Sequence, residues 1–349
     1  IYLWYLLTVI TLVIAAACLS VSIFSVSNSF FIPIRAADRN GPRGLTNNAH
    51  DIFSTMAANT NKSDAKETLK RLFVQHKGEV SHPEVREALD NLLQLAEKER
   101  GDYNGAEWSP AHSMDINQGR WRAITTPPFP GKLPEEADCK RKFTLGRMTF
   151  GMFKPTKMVC VVEDIVNVVK PVDANEGGSE DERQQGHRGG NVPAWTQTYN
   201  LEVLMDIEAS STKLPAKLTN YAVCFPKSTT RLGVRFSSGT LAPRFDLSSS
   251  DNATLAASWK ETFGNAVAKE AESQSYLGKL GTWLTHKLMK MMMGLEMPID
   301  MDDFTQTYRI GRPRMGHLDI LYLDEDFRVT RGNRGTIVVV ERLAEEENA

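Results

Sequence analysis

The chain lacks the residue patterns of the common hydrolases, phosphate-binding enzymes and zinc proteins. Its seven histidines are scattered, and there is no HExxH, Gly-x-Ser-x-Gly or CxxC pattern and no glycine-rich phosphate loop after a strand. Asp300, Asp302 and Asp303 stand close together but lack the spacing of a calcium loop, so we predict no metal site and no cofactor. The polar residues best placed for chemistry lie within strand-like apolar runs: Arg147, Tyr199, Tyr221 and Arg235.

These four side chains suit two kinds of chemistry if they face the inside of a sheet. A few polar groups in an apolar pocket fix the orientation of an apolar molecule that is bound there. An acid and a base that converge on the same molecule would instead support its chemical modification. The sequence leaves both interpretations open, and both require a sheet with an apolar inner face.

The last part of the chain predicts such a sheet. Three short runs rich in Val, Ile, Leu, Tyr and Phe cover residues 317–323, 327–330 and 336–340. The segments between them, 324–326 and 332–335, have the residue types of tight turns. The spacing therefore predicts a three-stranded antiparallel meander.

A further strand is predicted near residue 120, where Gly119-Arg120-Trp121 precedes an aliphatic, Thr-rich stretch. Gly119 lets the chain bend sharply, and Trp121 has the bulk to close one end of a barrel. An arginine from a late strand can lie over the indole face, in a cation–π contact of about 0.5 to 2 kcal/mol. We predict Arg328 for this role, with Arg331 as the second candidate.

Both segments resemble the plastid lipid-associated proteins, which form the fibrillin or plastoglobulin family. The resemblance depends on two patterns. One is the Gly-x-Trp of the first strand, and the other is the order of residue types in the meander: acids in the first turn, then an Arg, then an Arg-Gly pair and finally a Gly. The residues that carry it are Gly119, Trp121, Asp324, Asp326, Arg328, Arg331, Gly332 and Gly335. It implies a lipocalin-like barrel around an apolar molecule, and it adds Trp121 and Arg328 to the candidate ligand-binding residues.

The patterns elsewhere in the chain fit that architecture. Residues 64–74 and 84–100 have apolar side chains at helical spacing, and residues 81–84 have the pattern of a capping box. Further strand-like runs cover residues 143–153, 158–169, 196–208, 221–225 and 231–237. We therefore predict a mainly β fold, a lipocalin-like antiparallel β-barrel of about eight strands, preceded by a helical segment and carrying a helical insertion.

Two insertions interrupt the predicted barrel. Residues 173–190 are rich in Glu, Asp, Gln, Gly and Arg and predict a loop without a core. Residues 255–294 predict helices and end in a Met-rich stretch, which suits either an interface with membrane lipid or a cover over the barrel. The candidate membrane-contact residues are Trp283, Leu284, Leu288, Met291 and Met292.

The composition is that of an ordinary globular protein with appendages. The 349 residues are 41% hydrophobic and 24% charged, and the formal net charge of -2 does not indicate a nucleic-acid partner. The four cysteines are widely spaced and form no metal pattern. We expect buried free thiols in preference to a disulfide bridge.

The first 45 residues have the pattern of a targeting leader. Residues 1–26 contain no charged side chain and are long enough to cross a bilayer, and a Phe-containing segment followed by Arg35, Arg39 and Arg43 comes next. This order resembles the bipartite presequence of algae with complex plastids, and a retained membrane anchor is the alternative. We predict a leader or anchor at 1–45, a helical segment at 46–110 and the barrel at 115–345.

The expected function is the non-enzymatic binding of an apolar lipid at thylakoid membranes or plastoglobules of the chloroplast. The resemblance implies a prenylquinone, a carotenoid or a fatty acid as the bound molecule, and it implies the lipid surface and photosynthetic membrane proteins as partners. One alternative is an enzyme that modifies an isoprenoid or an oxylipin within the same barrel. A second alternative is a membrane-anchored scaffold or assembly protein.

Overall fold

The structure, a computed structural model, contains mainly β-strands. It describes residues 61–102, 114–127, 129–130, 133, 141–149, 151–172, 197–209, 212–273, 287, 290–291, 294–313 and 315–344. The helices are α1 (Lys62–Gln75), α2 (Pro83–Asp102), α3 (Met114–Asn117), α4 (Leu145–Met148), α5 (Ala253–Phe263) and α6 (Ala266–Ser273). The strands are β1 (Gly119–Ala123), β2 (Lys142–Thr144), β3 (Val159–Pro171), β4 (Gln197–Ala209), β5 (Thr212–Pro226), β6 (Arg231–Pro243), β7 (Leu295–Asp300), β8 (Gln306–Ile310), β9 (Gly316–Leu323), β10 (Phe327–Gly332) and β11 (Ile337–Arg342). The predicted fold class, mainly β with a preceding helical segment and a helical insertion, is confirmed.

The chain divides into two compact units. Unit 1 comprises the described residues within 128–225 and 233–317. Unit 2 comprises the described residues within 61–127, 226–232 and 318–344. Unit 1 is therefore inserted, in sequence, between the first and last strands of unit 2.

Unit 1 contains an antiparallel sheet in the strand order β2-β3-β4-β5-β6-β8-β7. The strands predicted at 158–169, 196–208 and 231–237 are confirmed as β3, β4 and β6. β5 is longer than the run predicted at 221–225, because its first half alternates apolar residues with Lys and Thr. The sequence interpretation missed β7 and β8, whose segment, residues 295–310, contains a proline and four acids.

The strand predicted at residues 143–153 is wrong beyond its first residues. β2 ends at Thr144, and helix α4 follows at once. Gly146 permits this turn, because a Cβ atom there would lie 2.5 Å from the Cβ of Thr156. The apolar residues that suggested a strand, Leu145 and Met148 among them, are instead buried by the short helix in the core of unit 1.

Helix α5 supplies the largest side chain of that core. Trp259 is fully buried, and its ring stacks on Phe263 with 4.2 Å between the ring centroids. The indole N–H of Trp259 donates to the carbonyl oxygen of Phe304 at 2.9 Å, so its polar atom is satisfied inside the core. The helical insertion is thus present, and its first helix packs in the same apolar cluster as residues of β3, β4 and β5.

Unit 2 contains a sheet in the order β1-β11-β10-β9 and the helices α1, α2 and α3. The predicted C-terminal meander is confirmed as β9, β10 and β11, and the predicted helices are confirmed as α1 and α2. Leu69 and Phe73 of α1 and Leu89 of α2 are buried in one cluster with Phe327 and Val329 of β10. The apolar residues of α1 and α2 recur at helical spacing because one face of each helix lies in the core.

The start of α2 differs from the predicted capping box. The side chain of Ser81 donates to Glu79 at 2.8 Å and not to the helix, which begins at Pro83. The carboxylate of Glu84 lies 3.0 Å from Nε2 of His76. By contrast, α1 has an ordinary N-cap, in which Asn61 accepts from the backbone N–H of Asp64 at 2.9 Å.

Two lysines of α1 pair with the acids of the β9–β10 turn. Lys66 lies 3.0 Å from Asp324 and 2.5 Å from Asp326, and Lys70 lies 3.1 Å from Asp326. Asp324 also caps the turn, because its side chain accepts from the backbone N–H of Phe327 at 2.8 Å. The predicted tight turn at residues 324–326 is confirmed, and the cations that pair with its two aspartates are lysines of a helix.

This ion cluster predicts a loss of stability in acid. Burial raises the pKa of Asp326, but hydrogen bonds from Lys66 and Lys70 outweigh it and lower the pKa below its usual range. The stabilisation is therefore present above the unfolded pKa of about 3.9 and is lost as pH falls below that value. Because the side chain of Asp326 is half exposed, we expect under about 1 kcal/mol from this pair. The difference in unfolding free energy between the wild type and Asp326→Asn should be constant near pH 6 and should shrink progressively as pH falls below about 4 towards the lowered pKa of Asp326. Parallel curves over that acid range would contradict the assignment.

Several sequence predictions fall outside the described residues. These are the leader at residues 1–45, the first part of the helical segment at 46–60, the loop at 173–190 and the cysteines Cys18 and Cys139. The two described cysteines, Cys160 and Cys224, are buried free thiols, as expected. None of the helices in the described part of the chain combines the length and the apolar character needed to span a membrane.

Candidate functional site

Two arginines lie against the ring of Trp121 in unit 2. Trp121 stands at the centre of β1, is fully buried, and pairs directly with Arg342 of β11. The Cζ atom of Arg342 lies 4.3 Å from the centroid of the indole, and that of Arg328 lies 4.7 Å from it. The predicted contact between Arg328 and Trp121 is confirmed, whereas the second arginine was not foreseen.

Asn117 and Gly119 complete this cluster. The backbone carbonyl of Asn117 accepts from the indole N–H of Trp121 at 2.9 Å, and its side-chain oxygen accepts from Nη1 of Arg328 at 2.7 Å. Arg328 is only 2% exposed, so these contacts replace hydration of its guanidinium. Gly119 has a φ of 115°, and a Cβ atom there would lie 2.5 Å from Nη1 of Arg342. Glycine suits this position because L side chains rarely adopt such a φ, and a side chain there would also displace the end of Arg342.

The chemistry of the Trp121 cluster is structural. It joins an aromatic ring to two cations and an amide, and it contains no carboxylate or imidazole that could exchange a proton with a substrate. Arg342 escaped the sequence interpretation because it follows Glu341 at the end of the last strand, where charged residues are usually solvated. A ligand-binding role for Trp121 and Arg328 stays a prediction.

The inner face of the unit 1 sheet has a regular order of side chains. Directly opposite residues of antiparallel strands point to the same face, so the register of β3, β4 and β5 defines rows across the three strands. Three rows are entirely apolar: Cys160–Ile207–Leu214, Val162–Met205–Ala216 and Ile165–Val203–Leu218. These residues belong to or pack against the apolar core of unit 1.

The fourth row, Asn167–Leu201–Asn220, carries an amide at each end. Both asparagines are buried, at 4% and 1% exposure. Asn167 donates from Nδ2 to the backbone carbonyl of Asn200 at 3.0 Å. In Asn220, Oδ1 accepts from the hydroxyl of Tyr308 at 2.7 Å, while Nδ2 has no hydrogen-bond partner among the described residues. A buried amide donor without a partner costs about 1–3 kcal/mol, so Asn220 is a candidate contact for a ligand oxygen.

Tyr308 fixes the orientation of the Asn220 amide. Its ring packs edge to face on Phe153, with 5.5 Å between centroids, and lies so close to Gly239 that a Cβ there would be 2.5 Å from Cε1. Burial raises the pKa of the Tyr308 phenol, so its hydroxyl stays protonated and donates. Because Oδ1 of Asn220 is occupied by this bond, the Nδ2 group must point away from Tyr308.

The four polar residues predicted from sequence do not converge. Tyr199 is directly opposite Val169, lies on the same face as the Asn167–Leu201–Asn220 row and is half-buried. Tyr221 follows Asn220 on β5 and therefore faces the other way; it is 38% exposed. Arg147 is exposed on α4, and Arg235 is half-buried on β6. Sequence reasoning missed Asn220 and Tyr308, because a single Asn or Tyr within a strand has no distinctive spacing.

Comparison with known families gives a match between this chain and the model of the PAP_fibrillin family over residues 206–341. The matched region includes the whole meander and most of the sheet of unit 1. Over these residues the chain is similar to the plastid lipid-associated protein, or fibrillin, family. No curated protein and no solved structure gives a significant match.

The residues of the predicted signature that lie in the matched region are Asp324, Asp326, Arg328, Arg331, Gly332 and Gly335, while Gly119 and Trp121 precede it. The predicted resemblance is confirmed. Arg331, the second candidate for the contact with Trp121, instead pairs with Asp319 at 3.4 Å.

Two buried groups among the described residues bear on possible chemistry. Among the described residues, Arg328 is the only charged side chain that is fully buried, and it belongs to the Trp121 cluster. Burial, with a smaller effect from Glu208, raises the pKa of the Cys160 thiol to about 12, so this inward-facing cysteine is not a thiolate nucleophile. The described inner face offers amide and hydroxyl groups, which can orient a ligand.

Little of the predicted membrane-contact stretch is described. Trp283, Leu284, Leu288 and Met292 lie outside the described residues. Met291 is helical and 66% exposed, so its side chain is accessible to a partner surface. Its role in lipid contact stays a prediction.

Proposed function

We propose that this protein binds an apolar lipid that carries one oxygen-containing end, and that it holds this lipid at thylakoid membranes or plastoglobules without changing it chemically. The observation that carries the proposal is the Nδ2 group of Asn220, which is buried and lacks a partner among the described residues. It stands at the end of three apolar rows of the same sheet face. Membership of a plastid lipid-associated family supports the same ligand class.

The geometry favours some lipids over others. Burial of apolar ligand surface contributes about 25 cal/mol per Å², and a hydrogen bond to Asn220 would fix the orientation. A prenylquinone carbonyl, a fatty-acid carboxyl or an oxygenated carotenoid can accept that bond, while a pure hydrocarbon carotene cannot. We therefore rank prenylquinones, fatty acids and oxygenated carotenoids above hydrocarbons.

The cellular setting is part of the proposal. The apolar leader followed by Phe30 and a basic segment suits import into a complex plastid. A lipid surface, either thylakoid or plastoglobule, is the proposed partner, with photosynthetic membrane proteins as a further class. Exposed Met291 and its Met-rich neighbours in sequence are the proposed contact with that surface.

The test is lipid retention by the full chain, purified in mild detergent, incubated with a thylakoid lipid extract and analysed by native mass spectrometry. We expect one oxygenated apolar lipid per chain. Asn220→Leu should lower its occupancy about tenfold, the equivalent of about 1.4 kcal/mol for the lost hydrogen bond. Tyr221→Phe, on the outer face of the same strand, is the matched control and should bind as the wild type does.

Each other outcome rejects a specific part of the proposal. Equal retention by the wild type and Asn220→Leu would reject Asn220 as the contact. A wild-type chain that retains no lipid would reject the carrier function and favour a scaffold. A chemically altered lipid would establish the enzyme alternative.

A further inference from the structure

Two histidines and a glutamate meet where helix α1 ends and helix α2 begins. His76 follows the last residue of α1, His82 precedes the first residue of α2, and Glu84 is in the first turn of α2. One ligand atom from each of these side chains lies within 4.8 Å of the other two. Nε2 of His76 and Oε2 of Glu84 are 3.0 Å apart, and the two imidazole rings stack with 3.5 Å between centroids.

His82 is incompletely satisfied in this arrangement. Its Nδ1 atom is buried and has no hydrogen-bond partner among the described residues. A buried ring nitrogen without a partner is costly, and a metal ion is one group that can satisfy it. The predicted capping box would have used Glu84 within its own helix, but the carboxylate instead faces His76.

We propose that His76, His82 and Glu84 form a binding site for a divalent transition-metal ion of the Zn²⁺ class. Two imidazoles and one carboxylate make up a common three-ligand set for zinc, with water in the fourth position. Imidazole nitrogens favour zinc, copper, nickel or iron over Mg²⁺ and Ca²⁺, which prefer oxygen ligands. The sequence prediction of no metal site considered only local motifs, and these ligands come from both sides of a loop.

The loop between the helices is held in place before any ion binds. The backbone N–H of Gly78 donates to the carbonyl of Phe73 at 2.8 Å, and that of His82 donates to the carbonyl of Glu79 at 3.3 Å. The backbone N–H of Thr126 donates to the carbonyl of Gly78 at 2.7 Å, which ties the loop to the chain after β1. The ligands are therefore positioned by backbone hydrogen bonds, which lowers the entropy cost of binding.

Binding requires only side-chain rotation. Ligand atoms around a tetrahedral zinc are about 3.3 Å apart, from Zn–N and Zn–O distances of about 2.0 to 2.1 Å. The two imidazole planes are now nearly parallel, at 16°, and must turn about their last side-chain torsions until the nitrogen lone pairs converge. An ion held in this way would link the end of α1 to the start of α2.

The test uses the full chain in mild detergent, freed of metal by a chelator and then given Zn²⁺. We expect one bound equivalent of zinc and a rise of several degrees in the midpoint of thermal unfolding, because the ion binds the folded chain preferentially. His76→Gln and His82→Gln should abolish both effects. Glu84→Gln should weaken zinc binding at least tenfold, and its carboxylate is sufficiently exposed, at 57%, that folding should persist.

His317→Gln is the matched control, since it removes a histidine from another part of the chain and should bind zinc as the wild type does. Cobalt gives an independent readout: the apoprotein with Co²⁺ should show visible absorption of a four-coordinate site that is lost in His82→Gln. Zinc uptake that is equal in wild type, Glu84→Gln and both histidine variants would overturn the proposal. So would a wild-type chain that binds no zinc.

Discussion

Replacing Trp121 with alanine should lower the free energy of unfolding by about 3–5 kcal/mol. The indole is fully buried, and its loss would leave a cavity between Arg328 and Arg342, whose guanidinium groups lie 4.7 and 4.3 Å from the ring centroid. The two cations would then lose their shared aromatic partner, and Arg328 would stay buried without it. Denaturant unfolding of the full chain, followed by circular dichroism, measures the effect.

Trp121→Phe is the control for the Trp121 prediction. It keeps an aromatic face for the arginines but removes the indole N–H that donates to Asn117, so it should cost less than half as much as the alanine variant. A Trp121→Ala variant within 1 kcal/mol of the wild type, by the same measurement, would show that the cluster does not contribute to stability.

The second large effect is expected at Gly78, in the loop between α1 and α2. Its φ is +81°, and a Cβ atom there would lie 2.7 Å from both the carbonyl oxygen of Ile124 and the backbone nitrogen of Thr126. Both of these close atoms belong to the backbone and cannot rotate away. The loop at Gly78 must therefore move away from the 124–126 segment, and the hydrogen bond from the Thr126 N–H to the Gly78 carbonyl must weaken. We expect Gly78→Ala to lower the free energy of unfolding by about 2–4 kcal/mol, from the left-handed backbone and the overpacking together.

Gly335 provides a matched control for Gly78. Its φ is +80°, almost the same, but a Cβ atom there would meet nothing within 4 Å. Gly335→Ala should therefore cost only the left-handed backbone energy, about 1 kcal/mol. Equal losses in the two variants, measured by denaturant unfolding, would show that the approach of the 124–126 segment is unimportant.

The sequence predicted the elements of this protein better than it predicted the contacts between them. The meander and the helices α1 and α2 have strong periodic patterns, because one face of each element is buried and the other is solvated. β7 and β8 lack such a pattern. Within residues 143–153, several apolar side chains belong to the short helix α4. That helix is too short to show a helical period, so the burial of these side chains could be seen only in the packed structure.

The functional groups were only partly predictable. The contact of Arg328 with Trp121 follows from a family resemblance and from the physics of an aromatic ring beside a cation. Asn220 and Tyr308 come from strands 88 residues apart in the chain, and their meeting depends on register. The grouping of His76, His82 and Glu84 likewise could not be predicted without the conformation of the loop between α1 and α2. The three residues lie on either side of that loop, and their spacing matches no known metal-binding motif.

The pairing of Trp121 with Arg342 sets the order in which the protein can mature during synthesis. Trp121 of β1 pairs with Arg342 of β11, and Arg342 also donates to the backbone carbonyl of Gln118, 224 positions away. The sheet of unit 2 therefore cannot close until β11 has been synthesised. Until then the apolar faces of α1 and α2 lack β10 and β11, which cover them in the native core. Such distant pairing slows folding and leaves apolar surface exposed until the last strand has paired.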